Sequence, residues 1–288
     1  MTPLQIALCS ALGGCVLLCL LAWLIFRFLT APNKPRAGTD RLLGVELAHR
    51  GLHENPTLPE NSLGAFQAAV DAGFGIELDV QLSSDGIPVV FHDQTLDRVC
   101  GISGSTRDYP FEKLATTPLF GQPGTGIPSF ADVLAVVGGR VPLLVEIKGE
   151  DPDFRSTCAK AAALLDAYDG EYWVESFNPL AIAWFRKRRP AVLRGQLAMA
   201  YSRHDKYKGK AKYGVLQRFL LNFRARPDFI AYRVADVDDR SLLRLRRVYR
   251  VPVMLWTVKT PEDRAAAAGF DGIIFEGAGR PAKEDRQP

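Results

Sequence analysis

Short strand-like apolar runs recur through most of the chain, the clearest of them alternating apolar and polar residues with a period of two. They are GVELAHR (44–50), GIELDV (75–80), PLLVEIK (142–148), YWVESF (172–177), LRGQLAM (193–199), DFIAY (228–232), PVMLWTV (252–258) and GIIF (272–275). That period places successive side chains on opposite faces of a strand. Between the runs lie stretches with helical spacing, such as PENSLGAFQAAVDAG, DFRSTCAKAAALLDAY, NPLAIAWFRKRR and DDRSLLRLRRVYR. Several open on Asp, Asn or Pro and two close at Gly, the residues that start and stop helices. Eight such units in about 230 residues predict an α/β chain folded as a (β/α)8 TIM barrel.

One segment breaks the pattern. Residues 4–26 (LQIALCSALGGCVLLCLLAWLIF) hold no charged side chain, and as a helix they would extend roughly 35 Å, enough for a bilayer core. A cleaved signal peptide would have a basic start and a shorter apolar run, so a retained anchor over residues 1–28 is expected. Arg27, Lys34, Arg36 and Arg41 follow the segment while no Lys or Arg precedes it. The positive-inside rule then predicts a single-pass membrane protein with its folded part in the cytoplasm. Pro, Gly and charge in TAPNKPRAGTD mark a linker over 29–43. The barrel should occupy 44–280, with a tail at 281–288.

The stretch IELDVQLSSDGIPVVFHD (76–93) reads as a hairpin inserted after the second strand. Glu77 and Asp79 share one face, opposite Ile76, Leu78 and Val80. If Asp85-Gly86 forms a two-residue turn, Asp79 faces His92 and Glu77 faces Gln94. Two carboxylates and an imidazole on one face cost stability unless a cation or substrate compensates. The other predicted strand ends add charge on the same side: His49-Arg50, Glu146 and Lys148, with Ser176-Phe177 and Trp256 beside them. A barrel gathers its reactive groups at that end of its strands.

Composition adds little. The chain has 288 residues and a net charge of +4, without the basic and aromatic interleaving of a nucleic-acid binder. Of five cysteines, Cys9, Cys15 and Cys19 lie in the apolar segment, and Cys100 and Cys158 make neither a disulfide framework nor a zinc spacing. His53 and His204 are expected as solvated residues outside the chemistry.

Taken in order, AHRG (48–51), PENS (59–62), IELDVQLSSDGIPVVFHD, VEIK (145–148) and WTV (256–258) resemble the glycerophosphodiester phosphodiesterase family. The resemblance implies hydrolysis of a glycerophosphodiester to an alcohol and glycerol 3-phosphate with a bound divalent cation. By position, Glu77, Asp79 and Glu146 match its metal-binding carboxylates, an oxygen set suited to Mg2+ or Ca2+. His49 and His92 match its catalytic histidines, with His92 assigned the acid role. Arg50 and Lys148 match its phosphate-binding positions. Glu60 and Asn61 stand where a helix begins and read as caps or as support for the site. Phe177 and Trp256 are expected to line the substrate pocket.

Two positions depart from the family's pattern: Lys259 stands where Asn or Asp is frequent, and Phe275-Glu276 where Thr-Asp is usual. Both are expected at the substrate rim. Residues 201–226 form a long, basic, partly apolar connection that either packs on the barrel or rests on an anionic leaflet. The competing functions are a lysophospholipase D or phospholipase C-like enzyme, which would take a lysophospholipid, and a membrane-anchored binding protein without turnover.

Overall fold

The computed structural model describes residues 2–149 and 153–280; the expected tail at 281–288 lies outside them. In chain order the helices and strands are α1 (Pro3–Thr30), β1 (Val45–His49), α2 (Leu63–Asp71), β2 (Gly75–Leu82), β3 (Pro88–Val90), α3 (Asp97–Cys100), α4 (Phe111–Ala115), α5 (Phe130–Val137), β4 (Leu143–Ile147), α6 (Phe154–Leu165), β5 (Tyr172–Ser176), α7 (Pro179–Arg188), β6 (Arg194–Ala198), α8 (Ala211–Gln217), α9 (Asn222–Ala225), β7 (Phe229–Arg233), α10 (Arg240–Tyr249), β8 (Val253–Val258), α11 (Pro261–Ala267) and β9 (Gly272–Phe275). Eight of the strands pair in parallel, and β1 bonds both β9 and β2, which closes the barrel. β3 alone runs antiparallel, on the end of β2.

The period-two alternation divides each strand between two cores. Ile76, Leu78, Val80, Val145 and Val174 face outward, against the helices. Leu47, Leu144, Trp173, Leu197, Phe229, Met254 and Ile274 face inward and fill the lower barrel. A 3₁₀ turn at Thr39–Leu42 pushes Leu42, fully buried, beneath them as a floor. Above this apolar plug, the inward positions toward the C-terminal ends of β1, β2, β4 and β5 are the polar His49, Glu77, Asp79, Glu146 and Glu175.

The hairpin differs from the expected register by one residue. Val80 faces Val90 and Leu82 faces Pro88, and five residues, Ser83 to Ile87, make the connection. A two-residue turn would need positive φ at both Asp85 and Gly86, but only Gly86 has it, at +78°. Instead Ser83 Oγ accepts from the Ile87 N–H at 2.9 Å, and Asp85 Oδ1 accepts from the Phe111 N–H at 3.1 Å. The insertion also continues through α3 and α4 with its own apolar cluster of Val89, Phe91, Leu96, Val99, Leu114, Leu119 and Ile127.

Helix α1 extends away from the barrel, its apolar side chains exposed along most of its length. Among the described residues, its contacts with the folded part begin at Phe26. Tyr249 donates to the Arg27 carbonyl at 2.9 Å and Asn222 Nδ2 to the Thr30 carbonyl at 3.0 Å. The stretch expected as a linker is itself bonded to the barrel: Arg36 grips both oxygens of Asp228 at 2.7 and 2.8 Å and the carbonyls of Pro190 and Val192 at 2.7 and 2.8 Å. In the 201–226 connection, Phe219 is buried and packs beside Tyr232, while Val215, Leu216, Leu220 and Phe223 are half-buried, Phe223 against Phe28 of α1.

Candidate active site

Because inward side chains recur every second residue, β2 delivers Glu77 and Asp79 into the barrel mouth, and in-register pairing sets Glu146 of β4 beside Asp79. One oxygen of each of these three buried acids lies within 4.8 Å of the other two. The same register sets Glu175 of β5 beside Glu146. Glu175 is 1 % exposed and its Oε2 has no hydrogen-bond partner. The sequence reading passed over it, although it shares the inward face of its strand with Phe177.

Cationic side chains bracket the acids. Lys148 Nζ lies 2.7 Å from Asp79 Oδ1 and 3.0 Å from Glu146 Oε2, so it stands among the carboxylates and not only at a phosphate position. Arg50 has φ +56° at the end of β1, which aims its N–H at Glu77 Oε2, 3.1 Å away. Its guanidinium donates to Glu60 Oε1 at 2.6 Å and lies 3.6 Å from Asp79. Asn61 Nδ2 donates to Asp79 Oδ2 at 2.9 Å. The cap of α2 is Ser62, so Glu60 and Asn61 support the site and do not cap the helix.

The charges do not balance. Burial opposes ionisation of Asp79, but Lys148, His92 and Arg50 hold its carboxyl well below the usual range. Burial pushes Glu77 well up, and the neighbouring charges of Asp79 and Glu146 add to the effect. Glu146 is raised by burial, and Glu175 by burial and then by Glu77, Glu146 and Asp79. Four acids face two permanent cations, and three of the four are disfavoured as anions. A divalent cation would relieve that excess, and a set of carboxylate oxygens without Cys suits a hard ion.

Each histidine leans on a carboxylate. His49 Nδ1 donates to Glu276 Oε2 at 3.1 Å, and Lys259 Nζ reaches the same oxygen at 3.0 Å. The two residues expected at the substrate rim thus form an ion pair behind His49. Burial, and after it the charge of Arg50, lower the His49 pKa to about 4 against the pull of Glu276. His92 Nδ1 donates to Asp93 Oδ1 at 2.7 Å, and Arg98 holds Asp93 Oδ2 at 2.6 Å while also reaching Glu60 at 2.6 Å. In both cases the nitrogen left over is Nε2.

The mouth itself is lined by His49, Arg50, Glu77, His92, Glu146, Glu175, Phe177 and Trp256 among others. Phe177 and Trp256 meet edge to face with ring centres 5.5 Å apart. A second groove continues past His92, Lys148 and Phe177 to Lys206. His53 is half-buried with its Nδ1 unpartnered, and burial lowers its pKa, so it is less solvated than expected. His204 accepts from Arg233 at 2.6 Å, outside this mouth.

Residues 49–279 match the model of the glycerophosphoryl diester phosphodiesterase family. A glycerophosphodiester phosphodiesterase of Caldanaerobacter subterraneus subsp. tengcongensis is 35% identical over 244 residues, covering 80% of this chain and 93% of its own. Among solved structures, an Oleispira antarctica phosphodiesterase in complex with the product sn-glycerol-3-phosphate matches with a TM-score of 0.66 at 22% identity, over 82% of this chain and 94% of that one. A Thermotoga maritima glycerophosphodiester phosphodiesterase matches with a TM-score of 0.59 at 24% identity, over 81% and 94%. The two structures share the fold, and the family model spans the barrel from the last residue of β1 onward, with both histidines inside it. The chain therefore belongs to the glycerophosphodiester phosphodiesterase family and is an enzyme of that class.

Proposed function

We propose that the barrel hydrolyses glycerophosphodiesters to an alcohol and glycerol 3-phosphate, with Glu77, Asp79 and Glu146 holding a divalent cation and His49 and His92 moving the protons. One observation carries the reading: three buried carboxylate oxygens lie within 4.8 Å of one another, and two of these acids line one mouth with two histidines that are each backed by an acid. When bound, the cation would polarise the phosphoryl oxygens and favour ionisation of the attacking oxygen. Mg2+ and Ca2+ both suit the ligands. Glu175 is a further acid facing the same charge.

The residues divide the remaining work. With its Nδ1 proton held by Glu276, His49 presents a free Nε2 electron pair and is neutral at pH 7, as a base that takes a proton from a hydroxyl or water must be. His92, whose Nδ1 bonds Asp93, leaves Nε2 as the atom that passes a proton to the departing alkoxide, which leaves as the alcohol. Arg50 and Lys148 offset the charge on the phosphate. Phe177 and Trp256 give an apolar wall for the carbon skeleton. A binding protein without turnover would have no use for two histidines so supported.

Helix α1 is 28 residues long with a mean hydropathy of 2.4 in its most apolar window. We read it as a single membrane span with the basic side, and the barrel, in the cytoplasm. The boundaries 1–28, 29–43 and 44–280 remain our division of the chain.

A leaving-group comparison tests the proton assignment. His92→Ala should slow hydrolysis of glycerophosphocholine about a hundredfold, but that of a p-nitrophenyl glycerophosphodiester less than about tenfold, because p-nitrophenolate departs without a proton. His49→Ala should slow both alike. Equal losses for His92→Ala on the two substrates would remove it from the acid role.

A further inference from the structure

The end of α1 meets the barrel at one face only. Asn222, whose amide donates to the Thr30 carbonyl, and Arg226, which donates to the Ala31 carbonyl at 3.0 Å, both precede β7. Tyr249, which bonds Arg27 and stands 3.2 Å from the Thr30 hydroxyl, precedes β8. The Asn33 N–H donates to the Pro227 carbonyl at 2.8 Å, and Arg36 clamps Asp228, the residue before β7. All of these lie at the N-terminal ends of the strands. The acids and histidines lie at the opposite, C-terminal ends.

Two further observations bear on what covers that face. Arg27, Arg186, Arg224, Arg226 and Arg244 surround the exit of α1, and among the described residues none forms an ion pair with an acid. Arg186 and Arg226 donate to carbonyls, Arg27 lies over Trp23 and Tyr249, Arg244 lies over Phe26, and Arg224 is exposed. Phe28 and Phe223 pack together at the same level. Unpaired guanidinium groups with aromatic rings at the end of an apolar span fit the phosphate layer of an anionic bilayer. The connection to the barrel is also bonded along its length, so it cannot act as a loose tether that lets the barrel turn over.

We infer that the barrel sits with its N-terminal face on anionic phospholipid head groups and its catalytic mouth turned away from the membrane, so that the enzyme takes water-borne, deacylated glycerophosphodiesters and not lysophospholipids of its own bilayer. The inference rests on reading α1 as a membrane span, and it narrows the substrate class of the proposed hydrolase. Five residues of β7 at about 3.3 Å each already separate the two ends of the barrel by roughly 16 Å. A lysophospholipid must leave its leaflet to cross that distance, and each methylene of its chain opposes this. The exposed lysines of the 206–212 stretch, which follow the C-terminal end of β6, then face the aqueous side, where they attract an anionic phosphodiester.

The test uses the full chain in vesicles that contain phosphatidylglycerol and a lipid with a Ni2+-chelating head group, a short-range quencher. A fluorescent amino acid is placed either at Lys187, on the α1 side, or at Asp205, on the mouth side. The inference predicts at least fivefold stronger quenching at Lys187. In the same vesicles, glycerophosphocholine should turn over within twofold of its rate in detergent, and lysophosphatidylcholine embedded in the bilayer at least tenfold more slowly than glycerophosphocholine. Equal or stronger quenching at Asp205, or embedded lysophosphatidylcholine consumed as fast as glycerophosphocholine, overturns the inference. Protein that does not float with the vesicles overturns the anchor reading and the inference with it. A quenching pattern as predicted but no turnover of glycerophosphocholine overturns the hydrolase reading alone.

Discussion

Glu276 holds the Nδ1 proton of His49, and the hydrogen bond from His49, followed by Lys259, keeps its carboxyl well below the usual range. In the proposed mechanism it would act on the reaction through the histidine. Glu276→Ala should therefore lower kcat by about 10- to 100-fold, with KM changed less than about threefold; a rise in KM at constant kcat, measured by steady-state kinetics, would return Glu276 to the substrate rim. A second residue makes a prediction in pH. Burial resists ionisation of Glu60, yet hydrogen bonds from Arg98 and the charge of Arg50 lower its pKa to about 2. A depressed folded-state pKa contributes stability that is full above the unfolded value of about 4.5 and is lost as pH falls toward 2. Glu60→Gln should cost about 3 kcal/mol at pH 7 and clearly less at pH 3, as read from urea unfolding; an equal cost at both would mean that the charge on Glu60 is not what stabilises.

At the scale of elements, AHRG shows how one glycine sets a whole corner of the site. Gly51 has φ +82°, and a Cβ there would stand 2.8 Å from the Ala65 backbone of α2. The close approach lets β1 turn at Arg50, so that the Arg50 N–H meets Glu77. Gly51→Ala should destabilise the barrel by about 2 kcal/mol or more and reduce turnover in the fraction that remains folded; a thermal melt unchanged within error would show that α2 gives way. The strands were legible from their apolar runs and the shared face of Glu77 and Asp79 from a period of two, which needs no tertiary information, whereas Glu146 joined them through its strand-end position and the family resemblance. The hairpin register was not, because Ser83 and the distant Phe111 amide decide it, and Phe111 lies 26 residues beyond Asp85. Glu175 could have been read from its strand face. The role of Glu276 could not, since it depends on β9 closing against β1.

For the whole molecule, eight strand-like runs sufficed to predict the barrel, and a long uncharged segment sufficed to predict a helix able to cross a membrane. How the two are joined was not legible: a stretch rich in Pro and Gly reads as a loose linker, and only Asp228 and the carbonyls before β6 turn Arg36 into a clamp. Buried acids on β2 and β4 are proposed to carry a cation that the two histidines work beside. This proposal is tested most directly by turnover of glycerophosphocholine after exhaustive chelation and then back-titration with Mg2+ or Ca2+, in the native chain and in Glu77→Ala. The account predicts a loss of about a thousandfold on chelation, recovery with the added ion in the native chain, and none in Glu77→Ala; undiminished turnover in the chelated protein would contradict it.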